Sequence, residues 1–182
     1  LARTMGITLM ENFRSPYLSR NISEYWQRWH ISLSTWLRDY LYVPLGGSRK
    51  GVRRTILNIF LVMLLGGLWH GAANTFVLWG LWIGLGLALY HVYRALVLKG
   101  QKDDQERPLA WSDALWILIT FHWMLLSYVF FRSASVSEAF QILKRFFCEP
   151  WGAVSFAIVR EDVVRSVLFM AIACLAHWVH RT

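Results

Sequence analysis

Gly66-Gly-Leu-Trp-His70-Gly-Ala-Ala-Asn74 lies in the middle of the most apolar part of this chain. From Thr55 to Tyr90 there is no Asp, Glu, Lys or Arg, and His70 is the side chain of this run that can exchange a proton near neutral pH. An ionisable group at membrane depth is costly and usually functional, which makes His70 a candidate for chemistry. The alternative is a neutral histidine that is hydrogen-bonded to a neighbouring helix.

The composition predicts an integral membrane protein. Of the 182 residues, 56% are hydrophobic, whereas soluble domains hold roughly 45–50% apolar residues. The net charge of +8 fits cytoplasmic flanks and contact with anionic membrane lipid, and no nucleic-acid-binding motif accompanies it, so we expect no nucleic-acid partner. Cys148 and Cys174 form no CxxC pair, and no metal site is predicted.

Residues 21–40 are predicted to form one amphipathic helix in the membrane interface. Asn21 can cap its start, and Glu24 can complete a capping box. His30 falls at the edge of the apolar face, beside Trp26, where it faces either a substrate or merely the solvent. We expect the helix to stop at Val43-Pro44 and a Gly46-Gly47 turn. The apolar face holds Ile22, Tyr25, Trp26, Trp29, Leu33, Trp36, Leu37 and Tyr40.

The remaining hydropathy pattern predicts a multispan, all-α membrane bundle with interfacial amphipathic helices and about four membrane segments. The expected spans are 55–70, 75–98, 111–131 and 163–179, with a turn at 71–74, a polar loop at 99–110 and an amphipathic helix at 136–147. Four cations precede the first span, which predicts that this flank and the 99–110 loop are cytoplasmic. These cations are Arg49, Lys50, Arg53 and Arg54.

Two long strings carry a resemblance to a known family. Tyr25-Trp-Gln-Arg-Trp-His30-Ile-Ser-Leu-Ser-Thr-Trp-Leu-Arg-Asp39-Tyr-Leu-Tyr-Val-Pro44-Leu-Gly-Gly47 resembles the first signature of the membrane-bound O-acyltransferase superfamily. Gly67-Leu-Trp-His70-Gly-Ala and the following Phe-Val-Leu-Trp-Gly80 resemble the second. The bacterial alginate O-acetylation branch is the most similar, and Phe130-Phe131-Arg132 also fits it.

The resemblance implies an arrangement that residue spacing alone does not predict. Family members are larger multispan proteins whose helices surround a tunnel, where a cytoplasmic acyl thioester meets an acceptor from the other side. The active-site histidine of the family corresponds to His70, and its second, more variable motif residue corresponds to His30. The resemblance also implies a bacterial inner-membrane location and an extracytoplasmic, esterase-like partner protein.

We therefore interpret residues 1–182 as a single C-terminal portion of such a membrane domain, without its N-terminal helices. Residues 1–54 would supply a loop, the interfacial helix and the basic flank. Residues 55–98 would form the helix pair that carries His70, and 111–131 and 163–179 would add further spans.

Acyl transfer to an alcohol requires removal of the hydroxyl proton, stabilisation of the oxyanion and exclusion of water. Neutral imidazole suits the first task, so His70 is the expected general base, and His30 could orient a substrate or assist proton transfer. Substrate-binding candidates are Trp69, Asn74, Trp29 and Trp26, although for the tryptophans the residue type favours core packing over substrate binding. We expect no permanently bound cofactor; the donor substrate would be acetyl-CoA or another acyl thioester, and the acceptor a polysaccharide.

Two other functions are compatible with the same residues. A transporter could use the intramembrane histidine as a proton relay, with glycine-rich broken helices around it. A structural subunit of a polysaccharide synthesis or export complex would tolerate replacement of His70. Transfer that depends on an acyl thioester distinguishes the enzyme from both.

Overall fold

The computed structural model describes residues 5–6, 8–98, 108 and 110–148, and every regular element in these ranges is helical. The described residues up to Ala139 belong to one compact unit, and residues 140–148 belong to a second. The helices are α1 (Ile22–Arg28), α2 (Ile31–Leu37), α3 (Val52–His70), α4 (Asn74–Leu96), α5 (Ala114–Arg132) and α6 (Val136–Cys148). A π-helical turn, Arg38–Tyr42, follows α2, and short 3-10 turns lie at Pro16–Leu18 and Trp111–Asp113.

Three helices are long and apolar enough to cross a membrane: Val52–His70, Asn74–Leu96 and Trp111–Arg132. These segments confirm the predicted spans at 55–70, 75–98 and 111–131, with ends that differ by a few residues. The fourth predicted span, 163–179, and most of the 99–110 loop lie outside the described residues, as does Cys174. The multispan helical fold is therefore confirmed for the part that the structure describes.

The α3–α4 hairpin is the element that places His70. The two apolar runs pack along each other, and the link 71–73 between them follows directly after His70. At their closest approach a Cβ atom on Gly67 would collide with the carbonyl oxygen of Phe76, and one on Gly80 would collide with that of Met63. Glycines at these two positions let the helix backbones touch, as small residues commonly do in membrane helix pairs.

The prediction that residues 21–40 form a single interfacial helix is wrong. The chain forms α1, leaves the helical conformation at Trp29 and His30, and resumes in α2. The apolar periodicity continues across this break, and neither glycine nor proline marks it. Contacts with an earlier segment produce it: Arg14 N–H donates to the carbonyl of Arg28 at 2.9 Å, and Ile31 N–H donates to that of Asn12 at 3.0 Å.

The start of α1 is fixed by a buried network of charges. Asn21 Oδ1 accepts the N–H of Glu24 at 2.8 Å, which confirms the predicted cap. The Glu24 carboxylate also accepts the backbone N–H of Arg20 at 2.7 Å. The same carboxylate pairs with the side chains of Arg20 and Arg28 at 3.3 and 2.5 Å. Glu24 is completely buried, so these partners are what makes its charge tolerable.

The predicted stop after Val43 is confirmed, since a turn occupies residues 43–50. Gly46 and Gly47 both have positive φ angles there. The fully buried Asn58 of α3 donates its side-chain amide to the carbonyls of Leu45 and Gly47, at 3.3 and 3.0 Å. This contact ties the turn to the first membrane helix.

The structure also contains the predicted amphipathic helix, α6. Ser135 Oγ accepts the N–H of Glu138 at 3.2 Å, and the Glu138 carboxylate accepts the N–H of Ala134 at 2.8 Å. These two bonds form a capping arrangement at the start of the helix. The part of α6 within the second unit, residues 140–148, exposes Phe140, Phe146 and Phe147.

Candidate active site

His70 is the last residue of α3, and aromatic rings from three helices surround its imidazole. The ring centroids of Trp69, Phe131 and Trp79 lie 4.9, 5.0 and 5.2 Å from that of His70, all in edge-to-face geometry. The ring of Phe76 lies at 6.1 Å. These rings leave the imidazole half-buried.

His30 occupies the break between α1 and α2. Its backbone is left-handed, with φ 44° and ψ 55°, which costs an ordinary L-residue roughly 1–2 kcal/mol. The Nδ1 atom of His30 is buried and has no hydrogen-bond partner within the described ranges. Strained backbone of this kind is concentrated at functional sites, which supports a role for His30.

The predicted substrate-binding residues divide into separate groups. Trp26 is buried against Trp79 at a centroid distance of 6.1 Å, so it is joined to His70 through that ring. Trp69 contacts His70 directly and is largely exposed. Asn74 is exposed at the first residue of α4, close in sequence to His70, and no described contact joins the two.

Trp29 belongs to a second aromatic cluster. Its indole stacks on Tyr25 at 5.7 Å and meets Phe13 edge-on at 4.8 Å. The hydroxyl groups of Tyr25 and Tyr128 are 2.9 Å apart, which links this cluster to α5. Burial, together with neighbouring Tyr128, raises the pKa of Tyr25 far above its usual range, so this hydroxyl stays protonated. Trp29 therefore packs in this second cluster, and no described ring contact joins it to His70.

Three ring contacts of His70 were missing from the predicted site residues: Phe76 and Trp79 of α4, and Phe131 of α5. The rings of Trp79 and Phe131 also touch each other, at 5.4 Å. The indole Nε1 atoms of Trp79 and Trp26 are buried and lack a hydrogen-bond partner in the described part of the chain. Both Trp79 and Phe131 lie in strings that carry the family resemblance, and that is the signal by which they could have been found.

A cavity of about 560 Å³ opens on the side of Trp26 that is remote from the turn at 71–73. Trp26, Ile31, Arg38, Tyr42 and His91 are among its lining residues, so α1, α2 and α4 all contribute to it. Neither His30 nor His70 lines this cavity. Trp26 lines this cavity and also contacts Trp79, whose ring meets that of His70.

The model of the membrane-bound O-acyltransferase family matches residues 4–135, which include both histidines and helices α1 to α5. The chain belongs to the membrane-bound O-acyltransferase family. It is 48% identical over 139 residues to the "Probable alginate O-acetylase AlgI" of Pseudomonas putida, covering 76% of this chain and 27% of that protein. This agrees with the alginate O-acetylation branch that the sequence resembles.

The names of more distant relatives in the family refer to other molecules than alginate. The chain is 43% identical over 139 residues to the "Peptidoglycan O-acetyltransferase" of Helicobacter pylori, covering 76% of this chain and 25% of that protein. It is 34% identical over 134 residues to the "Teichoic acid D-alanyltransferase" of Bacillus subtilis, covering 70% and 33%. The chain thus spans roughly a quarter to a third of the lengths of these curated relatives.

Proposed function

We propose that this chain carries the reaction centre of a membrane-embedded O-acyltransferase. The enzyme would move an acyl group, acetyl in the first instance, from a cytoplasmic thioester across the bacterial inner membrane to an extracellular polysaccharide. The observation that supports this most directly is the placement of His70, which ends a membrane helix and has aromatic rings from three helices around its imidazole.

In the proposed reaction, neutral His70 takes the proton of the acceptor hydroxyl as its oxygen attacks the thioester carbonyl. A carbon–oxygen bond forms, the carbon–sulfur bond breaks, and the imidazolium returns a proton to the leaving thiolate. The buried indole N–H groups of Trp26 and Trp79 could donate to the developing oxyanion. His30 would orient one of the two substrates.

The cavity beside Trp26 suits the approach of the donor. It lies between the basic flank of α3 and the ring cluster, and Arg38, Ser48 and His91 give its wall polar groups. If the basic flank is cytoplasmic, the donor enters from that side and the acyl group passes Trp26 to reach His70. The thioester is a substrate in this scheme, and no resident cofactor is required.

The direct test compares surface polysaccharide from cells with and without the full-length protein. Linkage analysis should find O-acyl groups on the polymer only where the protein is present, and should identify the acceptor. Unchanged acylation of every surface polymer in deletion cells would contradict the proposal and favour the transporter or structural-subunit interpretation.

His30 is expected to contribute less than His70. We predict that His30→Gln lowers transfer by roughly tenfold, below the ~10²–10⁴-fold range of a full acid–base role, and that His30→Ala is at least as damaging. The measurement is polysaccharide acyl content relative to the amount of protein in the membrane. Full activity in both variants would reduce His30 to a packing residue.

A separate extracytoplasmic partner is also predicted. The link at 71–73 is too short to hold a polymer by itself. Liposomes that contain full-length protein, with acetyl-CoA inside and alginate outside, should acetylate the polymer poorly until an esterase-like partner is added. Efficient acetylation with no second protein present would rule this requirement out.

A further inference from the structure

We propose that Asn12 is a positioning residue that holds His30 in its left-handed conformation and keeps the imidazole available to the site. This inference rests on the proposed function in one respect, namely that His30 acts in acyl transfer. The hydrogen bonds that carry it lie wholly within the described part of the chain and can be tested without any enzyme assay.

Asn12 accepts two backbone N–H groups at the start of α2. Its backbone carbonyl accepts the N–H of Ile31 at 3.0 Å, and its side-chain Oδ1 accepts the N–H of Ser32 at 2.9 Å. The first N–H groups of a helix have no partner within that helix, and the residue just before it usually supplies an acceptor from its own side chain. Here the preceding residue is His30, whose side chain makes no capping bond.

Asn12 therefore performs for α2 the capping role that would otherwise fall to the side chain at position 30. An imidazole that had to cap the helix would turn back toward Ser32 and lose its freedom to face a substrate. With Asn12 in that role, Nδ1 of His30 stays buried and unbonded among the described residues.

The same segment also fixes the other side of the break. Arg14 N–H donates to the carbonyl of Arg28, the last residue of α1, at 2.9 Å. Between these two attachments the ring of Phe13 lies against Trp29 and His30, with centroids at 4.8 and 6.2 Å. Residues 12–14 thus hold both ends of the two-residue break, and the surroundings impose a backbone conformation that histidine rarely adopts.

The first experiment measures hydrogen–deuterium exchange of the peptide that contains Ile31 and Ser32, in full-length protein in lipid nanodiscs. Asn12→Ala should speed exchange of these amides at least about threefold, while Asn12→Asp, which keeps a side-chain acceptor, should retain protection. Glu11→Ala is the matched control, because Glu11 is exposed and its carboxylate pairs with the exposed Arg14 side chain rather than with a backbone N–H of α2. Equal exchange in the Asn12→Ala variant and the parent protein would show that Asn12 does not hold the start of α2 in place.

The second experiment is a double-mutant cycle on transfer. Asn12→Ala should lower the maximal rate with little change in the donor KM, and Asn12→Asp should restore most of it. In a His30→Gly background, where there is no imidazole and glycine adopts the left-handed conformation freely, Asn12→Ala should cause no further loss. An equal loss in both backgrounds would show that Asn12 does not act through His30.

The two readouts separate the failure of this inference from the failure of the proposed function. If the parent protein transfers no acyl group, the exchange result still decides whether Asn12 fixes the backbone at the break between α1 and α2. If the parent protein is active and exchange responds as expected, additivity in the cycle refutes the positioning role alone.

Discussion

Replacing His70 with alanine in the full-length protein is expected to reduce acyl transfer by at least ~10²-fold, the lower end of what a positioned general base contributes. The reason is that His70 is the titratable group inside the described ring cluster of Trp69, Phe76, Trp79 and Phe131. The measurement is O-acyl content of surface polysaccharide, normalised to the amount of variant protein in the membrane fraction.

A second variant tests whether the loss of activity comes from lost packing and not from the lost base. Alanine removes the ring that the aromatic side chains contact, so we also propose His70→Gln, which fills more of the space without supplying a base. Both variants should insert at parental levels and both should be inactive. Parental acylation in either variant would refute the role of His70 as the general base.

His122 provides the matched histidine control. It lies on α5, is exposed, and its Nδ1 forms a hydrogen bond with the carbonyl of Leu118 one turn earlier at 2.7 Å. It shares no described contact with His70. His122→Ala should therefore leave transfer unchanged, and a comparable loss there would mean that histidine replacement in this membrane domain acts through general destabilisation.

The spans were predictable because a membrane helix is specified locally. The uncharged run around His70 is too long for one crossing, and Gly71 to Ala73 are the residues at which it turns. The cap at Asn21 and the stop after Val43 are likewise local signals of short range, and the structure contains both. Periodicity, length and turn residues suffice for features of this kind.

The break at His30 could not be predicted in this way. Trp26, Trp29 and Leu33 keep the spacing of one helical face, so the sequence pattern favours a continuous helix. The competing hydrogen bonds come from residues 12–14, which are remote in sequence. Tertiary contacts therefore override local propensity at this position, and that is where a candidate functional residue adopts a strained backbone.

The composition of the site was only partly predictable for a related reason. Trp69 contacts His70 as its neighbour in sequence, whereas Phe131 comes from α5 and reaches it through helix packing. The apolar pattern of α5 does not distinguish the face that meets α4 from the face that meets lipid, since both are apolar in a membrane protein. The partners of His70 thus depend on how closely α3 and α4 approach.

The close approach of α3 and α4 is the basis of the second prediction with a large expected effect. It concerns two adjacent glycines of α3. We expect Gly67→Ala to destabilise the α3–α4 hairpin by about 1–3 kcal/mol, because the new Cβ would collide with the backbone carbonyl oxygen of Phe76. A backbone atom cannot swing aside as a side chain can, so the helices must separate. His70 lies less than one turn beyond Gly67, and transfer should fall with the loss of packing.

Gly66→Ala is the matched control for this prediction. A Cβ on Gly66 would meet Leu37 Cδ1 at 3.5 Å, an ordinary van der Waals contact, and alanine favours the helix over glycine by roughly 1 kcal/mol. Thermal unfolding in detergent, followed by the fraction of monodisperse protein, should show a lower midpoint for Gly67→Ala and an equal or higher midpoint for Gly66→Ala. Gly80→Ala should behave like Gly67→Ala, since its Cβ would collide with the carbonyl of Met63 across the same contact. Equal midpoints for the two neighbouring variants would contradict the close helix crossing on which the position of His70 depends.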